Sequence, residues 1–244
     1  MKYLSGLLTE KGYTPKALRD IPIGPACLIV SPAEKPDALL GYINSLAPGS
    51  ILIGGQMAEQ IFERAHECGV KYINLAADEA FSVHNAVPTA EGALELILAN
   101  TPRIIRGQRI AIVGFGRIGK LLANMLFLLG AKVHVAARNP VSRAWALGLS
   151  VSSVNGMADQ FRRCSVLINT VPAQIIGRPV LEALAENSLI IELSSPPYGF
   201  DSQLAEELGH RVILAPGLPA KAAPYSAAQF MLEAIIRLAP DGLS

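Results

Sequence analysis

The run "IAIVGFGRIG" constrains this chain more than any other ten residues in it. Gly114, Gly116 and Gly119 stand in G-x-G-x-x-G spacing, after an apolar stretch that reads as a strand and before a helical pattern. Each glycine has a mechanical reason. Gly114 permits the tight turn, Gly116 lets a pyrophosphate approach the backbone, and Gly119 lets the helix lie close on the strand. Free N–H groups at the helix start then meet the phosphates with the favourable end of the helix dipole. Arg117 and Ile118 complete the turn, and a second strand follows at the spacing of a βαβ unit. The motif predicts a Rossmann dinucleotide-binding domain.

That second strand ends in "VHVAARNP". Folds that use NAD carry an acid here, which accepts hydrogen bonds from the adenosine ribose. This chain has two alanines and then Arg138. An acid repels a 2′-phosphate, whereas a guanidinium pairs with one through charge-assisted hydrogen bonds. Asn139, Ser142 and Arg143 add nearby donors, and Arg117 is expected within reach of the same region. The expected cofactor is NADP. NAD is the second choice, with Arg138 then stacking on adenine.

Around the motif, short apolar segments alternate with helical patterns, the signature of α/β units with parallel strands. Strands are expected at Ala26–Val30, Ser50–Gly55 and Val70–Leu75 in the first third, with helices at Pro36–Leu46 and Gln56–Cys68. A longer helix over Ala90–Ile105, with Thr89 as its N-cap, leads into the glycine turn. Further strands are expected at Arg109–Val113, Lys132–Ala136, Val166–Thr170, Leu189–Leu193 and Val212–Leu214, and a last helix at about Ser226–Leu238. The organisation is a smaller N-terminal α/β domain over residues 1–87, then a connecting helix and Rossmann domain over 88–221. Residues 222–244 are expected to fold back on the first domain.

Charge is uneven. Residues 1–100 hold seven Lys/Arg against eleven Asp/Glu, and residues 101–244 hold fourteen against nine. A basic second half suits a phosphorylated ligand, but the excess is too small and scattered for nucleic acid. No apolar run approaches membrane-spanning length, and no long apolar h-region opens the chain. Cys27, Cys68 and Cys164 are far apart, odd in number and without metal-site spacing. The expected compartment is a reducing cytoplasm, with no metal.

Three separate blocks carry a resemblance. "NAVPTAEGALELILANTPRIIRGQRIAIVGFGRIGK", "IIELSSPPYGFD" and "VILAPGLPAKAAPYSAAQ" resemble segments of the dipicolinate synthase A-subunit family, over roughly Leu39 to the C-terminus. The resemblance implies oxidation of dihydrodipicolinate to pyridine-2,6-dicarboxylate by NADP in the mother cell of a sporulating bacterium. It implies a small dicarboxylate substrate, partnership with the flavoprotein-like B-subunit of dipicolinate synthase, and a homo-oligomer. That family starts with a strand and a glycine-containing turn, whereas this chain opens on the helix-like "YLSGLLTEKGY". Either Met1 is an internal start or the first strand is lost, so the N-terminal domain is expected to be truncated. A missing central strand predicts an exposed edge and an unfilled core. The family's glycine after "PGLP" is Ala220 here.

The nicotinamide is expected beyond the carboxyl ends of the second-domain strands. Asn169, Thr170, Val171 and Pro172 fall there, with Asn169 and Thr170 read either as carboxamide ligands or as strand-end hydrogen bonders. A dicarboxylate requires a cation, for which Lys221 is the first candidate. Forming an aromatic ring assists hydride loss, so one proton acceptor suffices, and Glu91 or His84 is the candidate. Two other readings compete: a D-2-hydroxyacid dehydrogenase relative, and a scaffold protein that binds NADP without turnover. Against the first, no histidine follows His210, where that class places its general base.

Overall fold

Alternating strands and helices wind into two all-parallel sheets. A computed structural model describes residues 2–16, 24–30 and 34–240. In chain order its first elements are α1 (Lys2–Glu10), β1 (Cys27–Ile29), α2 (Pro36–Ser45), β2 (Ile51–Gly54), α3 (Glu59–Glu67), β3 (Lys71–Asn74) and α4 (Glu79–Asn100). Then come β4 (Arg109–Val113), α5 (Arg117–Leu128), β5 (Lys132–Ala136), α6 (Pro140–Ala144), β6 (Ser150–Ser152), α7 (Met157–Gln160) and β7 (Val166–Asn169). The last are α8 (Arg178–Ala183), β8 (Leu189–Glu192), α9 (Ser202–Glu207), β9 (Arg211–Leu214), α10 (Pro219–Ala222) and α11 (Pro224–Leu238). The chain divides into two units, Met1–Asn85 with Pro224–Ser244, and Ala86–Ala223.

In the first unit the sheet order is β1-β2-β3. Leu39, Ile43, Ile61 and Ala65 of α2 and α3 cover one face, against Leu28 and Leu52. Leu4, Leu7 and Leu8 of α1, with Leu232 and Ile235 of α11, cover the other against Ile53 and Ile73. Of the expected exposed edge and unfilled core, the second is corrected here: among the described residues both faces of the sheet are covered, while β1, paired with β2 through Cys27 opposite Ile51, stands at one edge.

The second unit has strand order β6-β5-β4-β7-β8-β9, the doubly wound arrangement of dinucleotide-binding domains. Alternation along β4 builds both its layers. Ile110 and Ile112 pack with Leu122 and Leu126 of α5 and with Ala90, Ala93 and Ile97 of α4. Ala111 and Val113 face Met157, Phe161 and Leu181. Register aligns Ala136, Val113, Asn169, Glu192 and Leu214 in one row along the carboxyl edge.

Two expectations fail at element boundaries. α4 begins at Glu79, eleven residues before Ala90, and Asp78 caps it by accepting from the Phe81 N–H at 2.7 Å. Thr89 is therefore no cap; it is buried inside the helix beside Pro88. An interior proline costs about 3 kcal/mol and normally marks a helix start. Here Ala86, Ala90, Ala93 and Ile97 form one buried stripe through it, and that packing carries the helix across. The edge strand β6 is also outside what the sequence predicts, because "SVS" has neither an apolar run nor a β-rich composition.

His134 on β5 is 8% exposed, and neither ring nitrogen finds a hydrogen-bond partner among the described residues. Burial, helped by the charges of Arg109 and Lys132, holds its pKa below the ordinary 6.5. The unfolded chain therefore takes up the proton first as pH falls, and the native state loses stability on the acid side. Melting temperature is expected to be level above about pH 6.5, the unfolded-state value, and to decline below it. His134→Leu should flatten the part of that decline due to this ring, checked by thermal melts from pH 8 to 5.

Candidate dinucleotide site

The site is assembled at the carboxyl edge of the second sheet, where β4 and its neighbours end. Gly114 leaves β4 with φ +95°, a conformation that side chains resist. A Cβ there would also stand 2.3 Å from Thr170 Oγ1 and 2.8 Å from Val171 Cγ2. At Gly119 a Cβ would come within 2.2 Å of the Gly114 carbonyl oxygen, so only glycine lets α5 sit this close to the turn. Gly116 is different. A Cβ there meets no heavy atom of the protein within 4 Å, so the space in front of it is open to a ligand. Gly116 is also the N-cap of α5; no side chain caps it, and the first turn holds no acid. The donors of this twelve-residue helix thus meet no competing anion of its own first turn, and the cradle fits a pyrophosphate.

Next along the edge, Arg138 follows β5 with its side chain exposed and without an acceptor among the described residues. Arg143 does something else. Its Nη1 donates to the backbone oxygens of Ala137 (2.9 Å) and Arg138 (2.7 Å), fixing the backbone that presents Arg138. Asn139 caps α6, accepting from the Val141 N–H at 2.8 Å.

On the other side of β4, the residues after β7 turn inward. Asn169 is fully buried; its Nδ2 donates to both Glu192 oxygens and to the Val171 carbonyl, each at 2.8 Å. Its Oδ1 accepts from the Val171 N–H at 3.1 Å. Thr170 Oγ1 donates to the Val113 carbonyl at 2.9 Å. Of the two roles open to Asn169 and Thr170, strand-end bonding is the one their side chains occupy. Val171 and Pro172 are left to form the rim, Val171 against Gly114 and Pro172 exposed. Sequence reasoning missed Glu192 as a site residue; its signals are an acid closing the apolar run "LII" and its place in the block "IIELSSPPYGFD".

The catalytic candidates are more scattered. Glu91 is exposed on α4, in an open groove with Leu94, Glu95 and Leu98. Lys221 is exposed on α10. Between them, Gly92 packs on Ala222 and Leu218, so the residue after Glu91 lies against the residue after Lys221. His84 belongs to the first unit, exposed and stacked on Phe230 with ring centroids 5.0 Å apart. Burial pushes the Cys27 and Cys164 thiols up to about 11, so neither is a nucleophile at neutral pH. Among the described residues, no cluster of His, Cys, Asp and Glu could hold a metal, and no helix is long and apolar enough to cross a membrane.

Sheet order, glycine turn and open helix start together define a nicotinamide-dinucleotide-binding domain of the dehydrogenase kind. Residues 89–215 match the family model described as "D-isomer specific 2-hydroxyacid dehydrogenase, NAD binding domain", and the chain belongs to that family. It is 32% identical over 170 residues to the dipicolinate synthase A-subunit of Bacillus subtilis (strain 168). That similarity covers 69% of this chain and 57% of the relative, so the chain matches little more than half of that relative's length. The crystal structure of the dipicolinate synthase A chain from Bacillus subtilis superposes with a TM-score of 0.76 at 28% identity, covering 83% of this chain and 68% of that one. The corresponding structure from Bacillus halodurans gives 0.77 at 28%, covering 82% and 69%. The resemblance read from the three sequence blocks is borne out.

The glycines separate folding from binding. Gly116→Ala is expected to leave stability within about 0.5 kcal/mol of wild type. It should weaken dinucleotide binding at least about tenfold, some 1.4 kcal/mol. Gly119→Ala should destabilise the chain by about 1–3 kcal/mol through overpacking. Denaturant melts and fluorescence titration with NADPH and NADH check both.

Proposed function

We propose that this chain is the nucleotide-binding oxidoreductase component of a dipicolinate synthase, oxidising dihydrodipicolinate to pyridine-2,6-dicarboxylate with NADP. The observation that carries the cofactor is Arg138, exposed at the end of β5 where an NAD site has an acid. The substrate rests on the similarity to the dipicolinate synthase A-subunits. A bound nicotinamide dinucleotide supplies the hydride acceptor. The N–H groups opening α5 hold its pyrophosphate, and Arg138 pairs with the 2′-phosphate while Arg143 fixes the backbone behind it. Lys221 is the cation for a substrate carboxylate, and Glu91, whose neighbour Gly92 packs on Ala222, accepts the proton released as the ring becomes aromatic. The balance is one hydride to the nicotinamide and one proton to Glu91 for each ring oxidised. The flavoprotein-like B-subunit works alongside, and the chain acts as a homo-oligomer in the cytoplasm.

Freshly generated dihydrodipicolinate mixed with NADP and the protein, with and without the B-subunit, should give NADPH absorbance together with dipicolinate. Tight NADP binding with no turnover under either condition would overturn the enzyme reading and leave a nucleotide-binding scaffold. Arg138→Glu should weaken NADPH binding about ten- to a hundredfold, the worth of a charge-assisted bond, with NADH little changed. Equal losses for both cofactors would rule out the 2′-phosphate role.

A further inference from the structure

We propose that Glu192 is a positioning residue whose buried carboxylate holds in place the two loops flanking the nicotinamide half of the bound dinucleotide. This rests on the dinucleotide reading above. Glu192 ends β8 and is fully buried. Of its neighbours in the register row, Ala136, Val113 and Leu214 are apolar, so a strand end here does not by itself require a charge. A buried carboxylate is costly unless hydrogen bonds satisfy it. Four donors do so. Asn169 Nδ2 reaches both oxygens at 2.8 Å. The Ser194 N–H (2.8 Å) and Oγ (2.7 Å) donate to Oε1, and the Gly199 N–H (2.8 Å) donates to Oε2.

Ser194 and Gly199 belong to the loop after β8, and Asn169 ends β7, where the second loop begins. Residues 193–199 are closed into a ring by the bonds from Ser194 and Gly199, which leaves Ser195, Pro196 and Pro197 exposed at the tip. Residues 170–176 are fastened twice: through Asn169, which binds both backbone groups of Val171, and through the Gly199 carbonyl, which accepts from the Ile175 (3.1 Å) and Ile176 (2.9 Å) N–H groups. There is no slack. A Cβ on Gly199 would stand 2.3 Å from Asn169 Nδ2. The phosphate turn follows β4 and the ribose arginine follows β5, on one side of it. The nicotinamide half therefore extends to the other side, over the ends of β7 and β8, where these two loops are.

The test compares a whole dinucleotide with its adenosine half. NADPH and 2′,5′-ADP are titrated into wild type, Glu192→Gln and Ser194→Ala, with NADH and ADP as a parallel pair. Glu192→Gln replaces an acceptor oxygen by a donor. It should bind 2′,5′-ADP within about twofold of wild type but NADPH about tenfold or more weakly, as expected for losing charge-assisted bonds. Ser194→Ala, which removes only the hydroxyl bond, should shift the same ratio by about threefold. If both ligands weaken alike, or neither changes, Glu192 serves the fold alone and the inference is overturned. Should Glu192→Gln fail to fold, the ratio in Ser194→Ala decides. A wild-type chain that binds neither dinucleotide overturns the proposed function itself, and this inference with it.

Discussion

The contact between the Cα of Gly119 and the carbonyl of Gly114 sets how α5 meets β4, and the nucleotide end of the second unit depends on it. With 2.2 Å between a would-be Cβ and that oxygen, no other residue permits the approach. The helix start is thereby brought to the end of the strand, with its opening N–H groups at the edge of the sheet. The neighbouring strands are tied to the same turn. The Gly114 N–H donates to the Ala136 carbonyl at the end of β5, and Thr170 after β7 bonds back to Val113. One close approach thus organises three strand ends.

The two sides of that turn are built on different physics. Toward β5 the carboxyl edge carries an exposed guanidinium on a backbone fixed by Arg143, an arrangement that favours an incoming anion and is screened by salt. Toward β8 the edge carries a fully buried carboxylate satisfied by amide, hydroxyl and backbone donors. There the low local dielectric strengthens each bond and makes each missing one costly, so the loops it holds have one arrangement. An exposed, charged side and a buried, hydrogen-bonded side suit the two halves of a dinucleotide, of which only the nicotinamide half must be placed for chemistry.

Much of this is legible in the chain. β4 and β5 fall at the expected residues, and β7, β8 and β9 within one residue at an end. Buried parallel strands read as apolar runs, which is why "RIAIV" and "KVHVA" are plain. β6 is not, because a short polar edge strand owes its existence to the neighbour it pairs with. Pro88 and Thr89 have the composition of a helix start, and only the buried stripe of Ala86, Ala90 and Ala93 shows that the helix runs through them. Of the site residues, the glycines are legible because their constraints follow from position in the motif, and the exposed place of Arg138 after β5 follows from the strand before it. The inward turn of Asn169 is not, since its partner Glu192 lies 23 residues away in sequence and meets it only through sheet register.

By itself the sequence determined that the second unit is a dinucleotide-binding domain, and where its glycine turn and Arg138 stand in the chain. The absence of a side chain at three glycines and the charge of one arginine are local properties, written in nearby residues. Tertiary structure decided how the edge at β7 and β8 is built. A buried hydrogen-bond network exists only once β7 and β8 lie in register, and it requires partners that no spacing rule connects. The same holds for the first sheet, where α1 and α11, far apart in the chain, together cover one face.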